Sequence, residues 1–212
     1  MRPWNLLWNV CCLAGIIWFQ TTYPGLSQPS KPPITLGFSN LIADWQWLQY
    51  VQYFGDQQAR QQSGYGQSEE ALEQIAALNP QFVFVYVQAN YAVAEAMHQP
   101  EKAVRFLLKG AQKNPGKQDA LGMPGTWYLY RLAASIVFRH FNDYERSAQL
   151  FTLAAAEPGA PAVMKENAAY FFHAANDQER AIRLWKEFYQ EAPTAQMKRA
   201  AREKLISLHV SL

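Results

Sequence analysis

The sequence predicts an all-α protein built from repeated helical hairpins, and three observations carry that expectation. Apolar residues recur at helical spacing almost throughout the chain after Phe38, with breaks at Asn-Pro, Glu-Pro and Ala-Pro. Two segments, EKAVRFLLKGAQKNP and ERAIRLWKEFYQEAP, share one frame, in which Ala103, Leu107, Gly110 and Pro115 match Ala181, Trp185, Phe188 and Pro193. A third copy, ERSAQLFTLAAAEP, places Ser147 34 residues before Ala181, and the helices before them recur at the same distance, Phe138 before Phe172. Two helices repeating at one period mark a hairpin array.

Composition allows such an array and excludes other classes. With 212 residues, half of them hydrophobic and only 17% charged, the chain can bury a large core and is unlike a disordered segment. A formal net charge of +2 is too small to suggest a nucleic-acid binder. The charge is divided along the chain. Residues 39–100 hold six acids against Arg60 alone, whereas from Glu101 onward sixteen Lys and Arg meet eleven acids. Cys11 and Cys12, the only cysteines, are adjacent in the first apolar stretch, so no disulfide framework or cysteine metal site is expected in the body.

Residues 1–23 read as a signal anchor or a signal peptide. The apolar run Trp4–Phe19 follows a single early Arg2 and is interrupted by Asn5 and Asn9. As a helix, those residues rise about 24 Å, short of the roughly 30 Å hydrocarbon core of a bilayer. Trp4 and Trp8 near one end, with Trp18 and Tyr23 near the other, sit where aromatic belts sit. Gly25-Leu26-Ser27 offers a small-x-small cleavage site, so an anchor and a cleaved signal both stay open, with a buried helix as a third reading. The first two place the body on the non-cytoplasmic side, in a periplasm or thylakoid lumen. Residues 24–37, rich in Pro and Ser, suit an extended linker.

From residue 38 the frame divides into repeats at 38–80, 81–115, 126–158 and 161–193, followed by a capping helix at 194–212. The paired helices, the period and the small/large/proline frame resemble tetratricopeptide repeat (TPR) proteins. Trp47, Tyr50, Val51 and Phe54 fall where that family has its Trp, Leu, Gly and Tyr. The resemblance implies a right-handed α-solenoid in which Ala103, Ser147 and Ala181 let paired helices approach while Leu107, Phe151 and Trp185 fill the seam. The stretch FSNLIADWQWLQYVQYFGD is also similar to the start of a group of exported bacterial TPR proteins, many of them cyanobacterial. Three departures stand out. Tyr91 occupies a small-residue position, Gly110 is a poor helix former, and the spacing from Ala103 to Ser147 is 44. The expansions at 55–67 and 114–125 are expected to be mobile or functional loops.

In the first helix Ala43, Trp47, Leu48, Tyr50, Val51 and Phe54 share one broad apolar arc, with Trp45 and Tyr53 on the far side as partner-binding candidates. Asp44 has three readings: a first-turn acid behind a Ser39 or Asn40 cap, an ion pair with a residue such as Arg60, or a partner contact. In the last helix Met197, Ala201, Leu205 and Leu208 are expected inward, and Lys198, Arg199, Arg202 and Lys204 outward.

No stretch carries catalytic chemistry. There is no Gly-rich phosphate loop and no cysteine nucleophile in the body, and His98, His140, His173 and His209 are far apart in sequence. His140 and His173 fall at similar places in successive repeats but lack a third metal ligand. The chain is therefore expected to be no enzyme, with no cofactor and no metal. The TPR register implies an inner surface carrying Gln88, Glu95, Ile136, Arg139, Glu166, Asn167, Tyr170 and His173, side chains suited to peptide recognition. The positions of the family's chaperone carboxylate clamp hold Gln88, Ala92, Ala133 and Glu166, so that partner class is not expected. The resulting expectation is a protein-binding scaffold or assembly factor at a membrane, with other proteins as partners and neither nucleic acid nor a small-molecule substrate. The alternative is a permanent structural subunit of a larger membrane complex.

Overall fold

The computed structural model describes residues 35–120 and 122–210. The run Trp4–Phe19 with Arg2, Cys11 and Cys12, and the linker before Thr35, lie outside the described residues, and so do the membrane and cleavage expectations that rest on them. Among the described residues no helix is long and apolar enough to cross a membrane.

The described chain is all-α apart from one isolated bridge between Ala120 and Met123. The helices are α1 (Ser39–Gly55), α2 (Gln57–Ser63), α3 (Ser68–Leu78), α4 (Val83–Ala89, continuing as a π-helix over Asn90–Ala96) and α5 (Pro100–Lys113). They continue with α6 (Thr126–Phe141), α7 (Tyr144–Ala156), α8 (Val163–Ala174), α9 (Gln178–Glu191) and α10 (Ala195–Ser207). Packing follows chain order, α1 on α3 and then each long helix on the next as far as α9 on α10. Neighbouring helices approach closely at Ala103, Ser147 and Ala181, all fully buried, while Leu107, Phe151 and Trp185 fill the space beside them. The Ser147 hydroxyl is satisfied at that depth by donating to Asp143 O at 2.7 Å, with Ala134 O at 3.2 Å.

The period of 34 is visible in the turns. α6 ends at Asn142 and α8 is followed by Asn176, both left-handed with φ of 52° and 63°, a conformation asparagine tolerates better than most residues. The next residue in each case, Asp143 or Asp177, caps the following helix by accepting from the backbone N–H of Arg146 or Arg180 at 2.9 Å. An Asn-Asp pair thus stops one helix and starts the next in the opposite direction.

Tyr91 and Gly110, the two anomalies of the second repeat, have separate physical causes. The π-helical turn in α4 inserts one residue into the helical count, with the Met97 N–H reaching back to Ala92 O at 3.0 Å. That extra residue swings Tyr91 outward to 52% exposure and puts Ala92 into the core. Gly110 lies under the ring of Tyr86: a Cβ there would sit 2.6 and 2.8 Å from the ring's Cδ atoms. The glycine makes room for a buried aromatic.

Helices α3, α5, α7 and α9 are joined one to the next by ion pairs of one polarity. Glu69 on α3 meets Lys102 on α5 at 2.8 Å, and Glu73 meets Lys109. Glu101 on α5 receives a two-pronged contact from Arg146 on α7 at 3.0 and 3.1 Å, and Glu145 on α7 meets Arg180 on α9 at 2.7 Å. In every case the acid belongs to the earlier helix. The Arg146 hydrogen bonds hold the Glu101 carboxyl below its ordinary value. Exposed pairs of this kind contribute about 0.2–1 kcal/mol each, so their larger effect is on alignment.

The described residues of both expansions carry defined structure. Residues 57–63 form α2, capped by Asp56 accepting from Ala59 N at 3.0 Å. The segment after α5 is laced to its surroundings. Asn114 Nδ2 donates to Pro80 O at 2.8 Å, Lys117 Nζ to Gln81 O at 2.6 Å, Thr126 N to Lys117 O at 2.8 Å, and Asp119 accepts from Trp127 Nε1 at 2.9 Å. Gly125 passes so close to Lys117 O that no Cβ would fit.

In α1 the outcome departs from the expected arc. Ala43 and Tyr50 are buried and Trp47 and Phe54 are packed against the core, but Leu48 and Val51 are exposed and Tyr53 is turned inward. With aromatic residues on several faces, the helix seats its largest rings and leaves the aliphatic side chains out. Neither Ser39 nor Asn40 caps the helix, which begins after Phe38 without a side-chain cap. Arg60 does not reach Asp44. Its guanidinium stacks 3.7 Å from the Tyr53 ring centre and donates to Gly64 O at 2.9 Å. In α10 Ala201 and Leu205 are buried and Lys198, Arg199 and Arg202 exposed, whereas Lys204 leans back over Tyr170.

Candidate protein-binding surface

The polar and aromatic side chains gather in two clusters, one between α4 and α6 and one around α8, and on one face of α1. The first cluster joins α4 to α6. Arg139 Nη2 lies 2.9 Å from Glu95 Oε1 and donates to Asn90 Oδ1 at 3.0 Å, and His140 Nε2 lies 3.4 Å from the same Glu95 oxygen. Asn90 is buried, so it fixes one edge of the guanidinium. Among the described residues no acceptor meets Nε or Nη1 of Arg139, which leaves a half-exposed donor edge. The π-helical turn carries Asn90 and Glu95 and so sets the height of both acceptors against α6.

The second cluster belongs to α8 and its neighbours. Tyr170 is 57% exposed, packs edge-on against the buried Trp185 with ring centres 6.4 Å apart, and carries the Lys204 ammonium 5.1 Å above its ring. That geometry is a cation–π contact. His173 pairs through Nδ1 with Gln178 Oε1 at 3.1 Å, while Asn167 is half-buried and the Glu166 carboxyl is pushed up by burial.

Of the sequence candidates, Glu95 and Arg139 are in direct contact, and Glu166, Asn167, Tyr170 and His173 lie along one side of α8. Gln88 stands apart, half-buried beside the hydroxyl of Tyr50, whose own pKa burial raises to about 12. Ile136 is fully buried and lines no surface, because it supplies core packing for α6. Ala92 and Ala133 are also fully buried and can present nothing to a partner. Trp45 is 42% exposed, whereas Tyr53 is occupied inside its own hairpin by Arg60 and by a hydrogen bond from Gln67 N at 3.3 Å. His140 and His173 have different partners, and no group of three His, Cys, Asp or Glu that could hold a metal occurs among the described residues. Asn90 and Lys204 were missed in the sequence. Asn90 gives no signal without the π turn, and Lys204 looked like one more outward base on a basic helix.

No protein-family model matches the chain, and no curated protein matches it, so the surface is interpreted from its own chemistry.

Proposed function

We propose that the protein is a TPR-like right-handed α-solenoid that works as a protein-binding scaffold or assembly factor, tethered at a membrane through residues 4–19 with its body on the non-cytoplasmic side. The observation that carries the reading is Arg139, buttressed by Glu95 and Asn90 with part of its guanidinium uncommitted among the described residues, on an array that also exposes Tyr170 under Lys204. Ordered charged and aromatic side chains on a repeat scaffold suit recognition of an extended segment, because the scaffold fixes their spacing before binding. The tether is supported by Arg2 and the tryptophans at the ends of the apolar run.

Cross-linking in native membranes followed by mass spectrometry tests the scaffold. Arg139→Glu is expected to remove at least one partner seen with the wild type while leaving the melting temperature within a few degrees. An unchanged set of partners would overturn the role of this cluster. Alkaline phosphatase fused after Leu212 is expected to be active, and an inactive fusion would overturn the proposed side of the membrane. The exposed row of Leu36, Phe38, Leu41, Leu48 and Val51 favours a second reading, a permanent subunit of a membrane complex. Such a subunit would never be recovered free from a detergent extract.

A further inference from the structure

The interior helices of the array are covered on both sides, α6 by α5 and α7 and α8 by α7 and α9, and the far end is covered by α10. α1 differs. It packs on α3 and, through Trp47, against Phe82 and Phe84 at the start of α4, and among the described residues no helix covers its opposite face. That side exposes Leu41, Trp45, Leu48 and Val51, with Phe38 at the start, at the i, i+3, i+4 and i+7 intervals that line one side of a helix. Asp44 is exposed within the same stripe, one turn before Leu48, and none of the ion pairs among the described residues involves it.

The single carboxylate decides between occupants. Laying the stripe on a bilayer would draw Asp44 toward lipid, and α1 contains no Lys or Arg to meet anionic headgroups, unlike helices built to lie on membranes. Pairing two copies antiparallel about the middle of the stripe would bring Asp44 against its own mate, since Asp44 lies midway between Phe38 and Val51. Like charges so placed are disfavoured. A helix with an apolar seam and one base meets both demands, the apolar area and the lone acid.

We propose that the exposed face of α1 receives a helix of a partner protein, its apolar seam against Leu41, Trp45 and Leu48 and a Lys or Arg of that helix opposite Asp44. The partner helix completes the open end of the array as a preceding hairpin would. This rests on the scaffold reading and specifies the class of partner for one of its surfaces.

The test uses the full chain in its native membrane, with the photo-crosslinker p-benzoylphenylalanine in place of Leu48. Leu48 and Asp44 are both exposed, so neither change disturbs the core. The expected result is an adduct with one foreign protein, mapped to a helical peptide that has a Lys or Arg within a turn of the joined residue. Asp44→Arg is expected to lower the adduct yield on the order of tenfold, a factor that corresponds to about 1.4 kcal/mol. An adduct confined to lipid, to residues 4–19 of the same chain or to a second copy overturns the proposal. So does a foreign peptide without a base, a yield indifferent to Asp44→Arg, or no adduct at all. If the adduct fails while Arg139→Glu still removes a partner, only the docking on α1 falls; if both fail, the scaffold reading falls with it.

Discussion

Trp185→Ala is expected to destabilise the protein by about 3–5 kcal/mol, the cost of emptying a large, closed aromatic site. Trp185 is 2% exposed, meets Phe188 at 5.9 Å and Tyr170 at 6.4 Å between ring centres, and occupies the boundary of α8 with α9. For a chain of this size the loss corresponds to a fall in melting temperature on the order of 10 °C. Trp185→Phe separates the ring from its polar atom. The indole Nε1 is buried with no acceptor, so the phenyl ring gives up packing area but also removes an unsatisfied donor. It is expected to stay within about 1.5 kcal/mol of the wild type. Thermal melts of the two variants settle the matter: an unchanged melting temperature for Trp185→Ala would mean that the site is not closed.

Gly110→Ala is expected to destabilise, against the direction that helix propensity gives. Alanine is favoured over glycine in a helix interior by about 0.8–1.0 kcal/mol. Here the new methyl group would fall within 2.8 Å of the Tyr86 ring. That ring has no free path away, because Tyr86 is 1% exposed, packs at a tilt against Phe106 with ring centres 4.9 Å apart and donates its hydroxyl proton to Pro80 O at 3.2 Å. Overpacking a closed site costs about 1–3 kcal/mol, so the net change is a loss. Urea unfolding of Gly110→Ala, Tyr86→Leu and the double variant gives the coupling, which is expected to favour the double variant over the sum of its parts by about 0.5–3 kcal/mol. A Gly110→Ala protein more stable than the wild type would overturn the close approach.

The helical class was legible because its signal is summed over many residues. Ala103, Leu107, Ser147, Phe151, Ala181 and Trp185 each sit at a helical interval, and all six are buried. Single-residue events were not legible. The π turn around Tyr91 shifts the helical count by one without a compositional mark, and the inward turn of Tyr53 depends on Arg60 and on Gln67, the latter fourteen residues further along. In α1 the choice between faces was open because rings lie on several sides, and packing decided in favour of Tyr50 and Trp47 over Leu48 and Val51. The site was half legible for the same reason. Glu95 and Arg139 could be placed on one surface from helical register, whereas their contact with each other and the parts played by Asn90 and Lys204 follow only from three-dimensional placement.

The one-way ion pairs between α3, α5, α7 and α9 have a consequence for how such a chain can grow. Glu101 and Glu145 open equivalent helices, and each faces the base that stands one place along in the next, Arg146 or Arg180. The junctions are therefore interchangeable. On the repeat reading proposed above, loss of the 34-residue unit between Glu145 and Glu179 would leave Glu101 facing Arg180 in place of Arg146, with no acid set against an acid. Glu179, at the matching place in α9, is the last of the series, and the chain turns there to α10 instead of to another base. On the repeat arrangement proposed above, length would be a modular property of such a chain, because the same acid and base recur where α5 meets α7 and where α7 meets α9.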